Sequence, residues 1–327
     1  MAGRPPPDPV FVLRGSDGPV NTVNFQDLPG IQMPILLSGC ATGKIKLWNL
    51  KTRRAETTIE GHDGMGILWS DFVTGDAILS QGRDCQINLW QLAEGRNDII
   101  RRIPYESIGF CQCTFLQQGD DQLIAVAGKE PSVVELYNVK SSMKVTTLTP
   151  KEGARALGMV MKIKLVLSAI DDRALLLAGY EDGSIALWDV MESKVIHKLK
   201  VHSDPVMSLD YSIPQQRGVS GSADETIVTW KLNEAQELQI QHQTDITNPG
   251  ISDIKIRKDD KILATAGWDS RIRVFGLKKL KALAILTYHR ENVQCLSFSV
   301  QGVDGQGSLL AAGSKDRHIS LWSLYNS

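Results

Sequence analysis

Apolar and polar positions alternate in short runs along most of the chain. In SIALW, Ile185 and Leu187 alternate with Ser184 and Ala186; in KIKLW, Ile45 and Leu47 alternate with lysines; in RIRVF, Ile272 and Val274 alternate with Arg271 and Arg273. A period of two predicts strands with one buried and one wet face. A short apolar run precedes each of these, as LLSG, ILSQG, LLAG, ILATAG or LLAAG, the composition of a strand near the middle of a sheet. Gly, Asp and Ser gather between the two runs and predict a tight hairpin. A further strand comes before each pair, visible as PVNTVNF (19–25), PVMSLDY (205–211), GISDIKI (250–256) and NVQCLSF (292–298). An outer strand follows, as AETTI (55–59), KVIHKLK (194–200) and LAILTY (283–288). Gly66 and Trp69 stand where a later unit has Val206 and Leu209; a small residue beside a large one conserves volume, so Trp69 is read as core.

The aromatic residues that close the phrase are Trp48, Trp90, Tyr137, Trp188, Trp230, Phe275 and Trp322, spaced by 42, 47, 51, 42, 45 and 47 residues. A four-strand unit of roughly 40–45 residues is the repeat of a β-propeller. The prediction is an all-β chain forming one seven-bladed β-propeller over 9–327, after a disordered N-terminal segment, 1–8. FVLRG (11–15) has the pattern of an outer strand but no blade of its own, and the seventh unit lacks an outer strand after Trp322. Residues 9–13 are expected to supply it, closing the propeller and removing an open edge.

Composition narrows the function. Hydrophobic residues make up 42% and charged residues 22% of 327, and the formal net charge is −1, so no basic footprint for nucleic acid is present at the whole-chain level. Five scattered cysteines fit a reducing compartment. Cys111 and Cys113 would share a strand face, but no further Cys/His pair at zinc spacing accompanies them, so neither metal nor cofactor is expected. MAGRPPPDPV has no apolar signal core, and LGMVMKIKLVLSAI (157–170) is broken by Lys162 and Lys164 and too short to span a bilayer. The expectation is a cytoplasmic protein, with the nucleus as a second compartment, monomeric on its own, with no membrane, nucleic-acid or small-molecule ligand.

The repeated phrase, with a Gly-His pair, a hairpin Asp and a closing Trp-Asp, resembles the WD-repeat β-propeller family over residues 9 to 325. The resemblance implies a hydrogen-bond relay inside each blade. His62, Ser80, Asp84 and Trp90 fall at the matching positions, and His202, Ser220, Asp224 and Trp230 do so again. An indole only donates, a carboxylate only accepts, and imidazole and hydroxyl do both, so His between Asp and Ser, with Ser accepting from Trp, satisfies every group. The other units read as degraded: Ala312 replaces the Ser beside His289, Asp316 and Trp322; Thr247 replaces the His beside Thr265, Asp269 and Phe275; Ser16 and Thr42 stand for His and Asp in the first; the third and fourth lack the His. A hydrolase triad built from the same residue types is rejected, because the set recurs and no Gly-x-Ser-x-Gly elbow exposes a nucleophile.

More narrowly, PDPVFVLRG (7–15), LAGYEDGS (177–184), TNPGI (247–251), ILATAGWDSRIRVF (262–275) and AAGSKDRHISLWSLY (311–325) resemble the guanine nucleotide-binding protein β-subunit-like protein 1 family. No phosphate-cradling Gly loop with Lys is present, so no nucleotide chemistry is placed on the chain. The resemblance extends to fungal members of the ASTRA assembly. It implies a non-enzymatic scaffold that acts with the Tel2-Tti1-Tti2 co-chaperone complex on phosphatidylinositol-3-kinase-related kinases. Two alternatives stand beside it. One is a G-protein-β-like signalling adaptor, set against the short run from PPP (5–7) to the first strand, which leaves no room for the expected N-terminal helix. The other is a substrate receptor of a cullin-RING ubiquitin ligase, whose Trp-Asp-x-Arg appears as Trp268-Asp269-Ser270-Arg271, one hairpin too early. The residue before each hairpin Asp points to the turn face, giving Arg83, Glu181, Ala223, Trp268 and Lys315, with Tyr180 alongside, as candidate partner contacts; Trp268 is a common hot-spot type. Residues 95–107, with three arginines, and 149–173, around Lys151, Arg155, Lys162 and Lys164, are expected as recognition loops.

Overall fold

The computed structural model describes residues 7–26, 35–93, 96–107, 109–150, 157–300 and 307–325. The fold is a seven-bladed β-propeller: seven four-stranded sheets, with antiparallel pairing. β1 (Phe11–Leu13) precedes the first blade. Blade 1 comprises β2 (Val20–Gln26), β3 (Ile35–Cys40), β4 (Lys44–Asn49) and β5 (Arg54–Glu60). Blade 2 comprises β6 (Ile67–Phe72), β7 (Ala77–Gly82), β8 (Gln86–Ala93) and β9 (Arg96–Pro104), and blade 3 β10 (Thr114–Gln118), β11 (Asp121–Ala127), β12 (Val134–Asn138) and β13 (Lys144–Leu148). Blade 4 runs through β14 (Val160–Leu167), β15 (Ala174–Tyr180), β16 (Ser184–Asp189) and β17 (Lys194–Lys200); blade 5 through β18 (Val206–Ser212), β19 (Arg217–Ser222), β20 (Thr226–Leu232) and β21 (Leu238–Asp245). Blade 6 holds β22 (Ile251–Ile256), β23 (Ile262–Gly267), β24 (Arg271–Gly276) and β25 (Ala282–Thr287), and blade 7 holds β26 (Val293–Phe298), β27 (Leu309–Ser314) and β28 (Ile319–Ser323).

Blade 7 is completed by β1, in the order β1-β28-β27-β26. Phe11 pairs with Leu321, Val12 with Ser320 and Leu13 with Ile319, and the Val10 N–H donates to the Leu321 carbonyl at 2.7 Å. The expected closing strand, 9–13, is thus observed as 11–13 with one further backbone bond. Residues 1–6 of the predicted N-terminal segment lie outside the described residues.

The chain separates into two compact units, Met1–Asp84 with Gln91–Asn97 and Ser252–Ser327, and Cys85–Trp90 with Asp98–Ile251. In the first, Phe11 and Leu13 pack with Ile319, Leu321, Trp48 and Leu50, and a second cluster joins Ala266 and Ile272 to Val293, Ala312 and Trp322. In the second, Leu165, Leu176, Tyr180 and Trp188 pack with Leu136 and Leu148 of blade 3, and Leu177 and Leu187 with Leu209 and Trp230 of blade 5. Each core therefore lies between neighbouring sheets, because a single sheet cannot cover its own apolar face.

Two polar positions of the repeated phrase end its strands. The residue after the closing aromatic turns the chain toward the outer strand: the Asn49 carboxamide accepts from the N–H groups of Lys51 and Thr52 at 2.8 and 3.1 Å, Asn138 from Ser141 at 3.0 Å, and Asp189 from Glu192 at 2.9 Å. These side-chain turns explain the Trp-Asn, Tyr-Asn and Trp-Asp pairs. The hairpin Asp does the same earlier, accepting from the N–H two residues on at 2.8 Å in Asp182, 2.7 Å in Asp224 and 3.0 Å in Asp316. The residue between takes a left-handed φ at Cys85, Gly183, Ser270 and Arg317. Gly183 needs its glycine for a second reason, since a Cβ there would lie 2.2 Å from the His202 carbonyl oxygen.

Two expectations for loops are corrected. Most of 95–107 is β9, an edge strand with Arg96, Arg101 and Arg102 exposed and Ile103 buried. Within 149–173, Val160–Leu167 form β14, while Lys151 and Arg155 lie outside the described residues. Lys162 is buried and donates to the Gln112 side-chain oxygen at 2.7 Å, and Lys164 pairs with Asp210. The lysines that break the apolar run lie on β14 and tie it to Gln112, ahead of β10, and to Asp210 of β18.

Candidate functional site: blade relays and the turn face

In blade 2, His62 Nδ1 donates to Asp84 at 2.8 and 2.9 Å, and the Ser80 hydroxyl donates to His62 Nε2 at 2.7 Å; Trp90 is buried. Gly82 clears space for the ring, since a Cβ there would meet His62 Nδ1 at 2.3 Å. In blade 5, Ser220 meets His202 Nε2 at 2.9 Å, but Nδ1 donates first to Thr226 Oγ1 at 2.7 Å, which donates onward to Asp224 at 2.7 Å; Nδ1 and the other Asp224 oxygen are 3.3 Å apart. Burial lowers the His202 pKa, offset only in part by Asp224. Burial acts to raise the Asp224 pKa, but hydrogen bonds from Thr226 and His202 outweigh it and hold it low. The Trp230 end departs from the expectation: among the described residues its buried N–H meets no hydrogen-bond partner. Trp230 stands opposite Gly218, whereas Trp48, Trp188 and Trp322 stand opposite Leu36, Leu176 and Leu310. The indole fills that gap, with ring atoms 2.0–2.4 Å from a hypothetical Gly218 Cβ, and stacks on Tyr211 at 5.8 Å.

Four of the five blades that read as degraded, 1, 3, 6 and 7, carry a polar side chain at a second position. In blade 7, His289 Nδ1 donates to Asp316 at 2.9 Å, the Ser320 hydroxyl donates to His289 Nε2 at 2.8 Å, and Trp322 Nε1 donates to Ser320 at 2.8 Å. Ser320 is the cross-strand partner of Ala312, so the missing hydroxyl arrives from β28. Burial acts to raise the Asp316 pKa, but the bonds from His289 and the N–H groups of Arg290 and His318 prevail and hold it well below the usual carboxylate range. In blade 6 the same cross-strand slot, opposite Thr265, holds Arg273, whose two guanidinium nitrogens donate to Asp269 at 2.6 and 3.1 Å. Arg273 is buried, not on a wet face as the alternation predicted. Blade 3 places Glu135 in the slot opposite Val126, where it accepts from the Tyr137 hydroxyl at 2.7 Å. Blade 1 places Lys46 opposite Ser38; Ser38 accepts from Trp48 Nε1 at 2.8 Å and Lys46 pairs with Asp17 at 2.8 Å. Ser320, Arg273, Glu135 and Lys46 all sit two residues before the closing aromatic, hence on its side of the strand. That spacing was the available signal.

Tyr180 is a correction. It is 0% exposed, and its hydroxyl accepts from Trp188 Nε1 at 3.3 Å. Ala178 occupies the serine position of blade 4 and Ala186 stands across from it, so the phenol two residues further on replaces serine and histidine together.

The remaining turn candidates reach solvent to different degrees. Arg83 and Lys315 are exposed, with backbone N–H groups held by the carbonyls of Gly66 (2.9 Å) and Asn292 (3.0 Å). Glu181 is exposed but accepts from the Met159 N–H at 2.9 Å, which fixes the chain entering β14. Ala223 is half-buried, and Trp268 is 40% exposed. Trp268-Asp269-Ser270-Arg271 is the β23–β24 turn, its carboxylate engaged by Arg273. The relay serines Ser80, Ser220 and Ser320 are all 0% exposed and hydrogen-bonded to histidine, so no substrate reaches them as nucleophiles. Burial pushes the Cys111 thiol up to about 12, far from a reactive thiolate.

The family described as "WD domain, G-beta repeat" matches residues 7–49, 193–231, 237–276 and 280–323, together about half of the chain. The mouse protein named guanine nucleotide-binding protein subunit beta-like protein 1 is 45% identical over 326 residues, 98% of this chain and 97% of its own length. The chain belongs to the WD-repeat family. Proteins named ASTRA-associated protein 1 are also similar, at 27% identity in Schizosaccharomyces pombe, over 98% of this chain and 99% of that protein, and at 24% in Penicillium rubens, over 98% of each. The three WD-family blades matched from residue 193 onward include the two with a complete His-to-carboxylate chain outside blade 2, those of His202 and His289.

Proposed function

We propose that this WD-repeat chain is a non-enzymatic interaction scaffold that works with the Tel2-Tti1-Tti2 co-chaperone complex in the maturation of phosphatidylinositol-3-kinase-related kinases. The end-to-end likeness to proteins named ASTRA-associated carries this reading, because the chain and those relatives correspond over nearly their whole lengths. The sealed relay serines support a scaffold over a hydrolase. The reading includes action in the cytoplasm, extending to the nucleus, and a monomeric state before partners are met. Trp268 is assigned as a partner contact on the turn face.

The test is affinity purification of the tagged chain, with mass spectrometry, from cells whose own copy is depleted. The co-chaperone subunits and the kinases are expected in the eluate, and depletion is expected to lower kinase abundance. A ligase adaptor recovered in their place would overturn the proposal in favour of a ubiquitin-ligase receptor. In a protein that melts normally, Trp268→Ala is expected to lower recovery of the complex several-fold, as loss of an exposed aromatic anchor does; unchanged recovery refutes its assignment.

A further inference from the structure

The near-neutral total conceals a basic region. Residues 252–327 hold twelve Lys and Arg against seven Asp and Glu in a chain of net charge −1. Several of these cations gather at the turns of blades 6 and 7. Arg271 is exposed at the start of β24, across from Thr287 at the end of β25. The next residue, Tyr288, meets the His318 ring edge-on at 6.4 Å. Arg290 follows, its N–H donating to Asp316 at 3.1 Å, and the Lys315 N–H donates to the Asn292 carbonyl at 3.0 Å. The connector 288–292 therefore joins the two turns, and Arg271, Arg290, Lys315 and Arg317 are all exposed around it. Trp268 lies at the blade 6 end, 40% exposed.

The acids of the same turns are occupied. Asp269 is engaged by the buried Arg273, with the exposed Arg271 Nε 4.0 Å from the same carboxylate, and Asp316 by His289 and two backbone N–H groups. Glu291 is exposed on the connector. The outward charge is thus positive, beside an indole that offers an apolar face.

We propose that these turns form a docking surface for a carboxylate-rich segment of a partner protein, with an apolar side chain of that segment against Trp268. The inference rests on the scaffold reading and names the chemistry of its partner. The cations are spread over two turns and a connector instead of converging on one point, which suits successive carboxylates along an extended chain better than one phosphate dianion. Glu291 and the net charge of −1 oppose a continuous polyanion such as RNA.

The probe is a fluorescein-labelled Glu-Leu-Glu-Glu-Leu-Glu peptide, read by fluorescence anisotropy on the full chain. Binding is expected to weaken as salt rises from about 0.05 to about 0.2 M, because exposed charges are screened. It is expected to weaken about tenfold or more in Arg290→Glu/Lys315→Glu. Lys279→Glu/Lys281→Glu, at the opposite end of β24, is expected to bind like the parent. Should the first pair disturb folding, Arg271→Gln/Arg317→Gln replaces it, with a smaller loss expected. No binding, equal binding of a Gln-for-Glu peptide, or parental binding by both turn variants overturns the proposal. Tighter binding of a phosphoserine-for-Glu peptide or of oligouridylate through the same residues overturns the carboxylate assignment. Peptide binding without recovery of the co-chaperone complex sinks the function proposed above and leaves this surface standing; the reverse result sinks this surface alone.

Discussion

Ser320→Ala tests whether blade 7 is held by the rebuilt relay. The hydroxyl has two partners, the Trp322 N–H and His289 Nε2, each at 2.8 Å. Both partners are buried, and Ser320 itself is 0% exposed. Alanine keeps the Cβ and opens too little space for water, so an indole donor and an imidazole acceptor are left unsatisfied. One such orphan costs roughly 1–3 kcal/mol, and two with partial relaxation cost about 2–4 kcal/mol. With a urea m-value of about 2–3 kcal/mol/M for a chain of this size, the midpoint should fall by about 1 M. The assay is urea unfolding followed by tryptophan fluorescence and far-ultraviolet circular dichroism. A swap makes the test specific. Ala312 faces Ser320 across β27–β28 and occupies the position that Ser80 and Ser220 hold in blades 2 and 5. Ala312→Ser/Ser320→Ala returns the hydroxyl from the other strand and is expected to regain at least half of the loss. A single variant within about 0.5 kcal/mol of the parent, the scatter of ordinary surface changes, would falsify the relay argument, as would a double variant no better than the single.

Tyr180→Phe keeps the ring and removes the acceptor of Trp188 Nε1, so a loss of about 1–2 kcal/mol is expected in the same unfolding assay, with recovery of partners unchanged. Deleting residues 1–15 removes β1 and the burial of Phe11 and Leu13; at about 1.5–3 kcal/mol per large side chain, the loss should exceed about 3 kcal/mol, and melting at the parental temperature would contradict closure by β1. Stability should also fall below neutral pH through His202. Its folded pKa lies under its ordinary value because burial disfavours the cation, so the unfolded chain binds the proton more readily. The contribution is complete above the unfolded value of about 6.5 and declines as pH falls from there through the lower folded value. His202→Gln should flatten the urea midpoint between about pH 7 and pH 5.5 relative to the parent, and an unchanged slope refutes the assignment.

The strands were legible because their information is local. The period of two, the hairpin Asp and the closing aromatic recur within each unit, and β1 could be placed because FVLRG carried an outer-strand pattern without a sheet. What escaped was set by cross-strand register, which a linear pattern does not display. Arg273 looked wet because it alternates with Ile272 and Val274, yet its register partner Thr265 lies beside the relay, and Asp269 turns a costly buried cation into a paired one. Ala312 looked like a vacancy because Ser320 supplies its hydroxyl from the facing strand. Tyr180 looked exposed because it adjoins the turn, but the two alanines Ala178 and Ala186 left a space that its ring fills. The regions read as loops failed for a different reason. Charged residues on β9 and β14 masked the alternation, on β9 because an edge strand tolerates arginines and on β14 because each lysine finds a polar partner.

These relays serve the surface as well as the core. In blades 2, 5, 6 and 7 the hairpin Asp is held by the interior of its own sheet, through His62, through Thr226 and His202, through Arg273, and through His289. The same carboxylates in blades 5, 6 and 7 accept from the N–H two residues on, which fixes the turn. The residue just before each Asp is consequently presented from a rigid frame although it makes no relay bond itself. That position reads Arg83, Ala223, Trp268 and Lys315, four different chemistries on one backbone geometry. A rigid turn spares a partner the ordering entropy that a mobile loop would demand on binding. Weakening a relay should therefore erode binding at the turn above it even when every contact residue is intact, whereas replacing Trp268 or Lys315 should erode binding and leave the blade as stable as before. The two classes of substitution separate the internal support of a blade from the chemistry it displays.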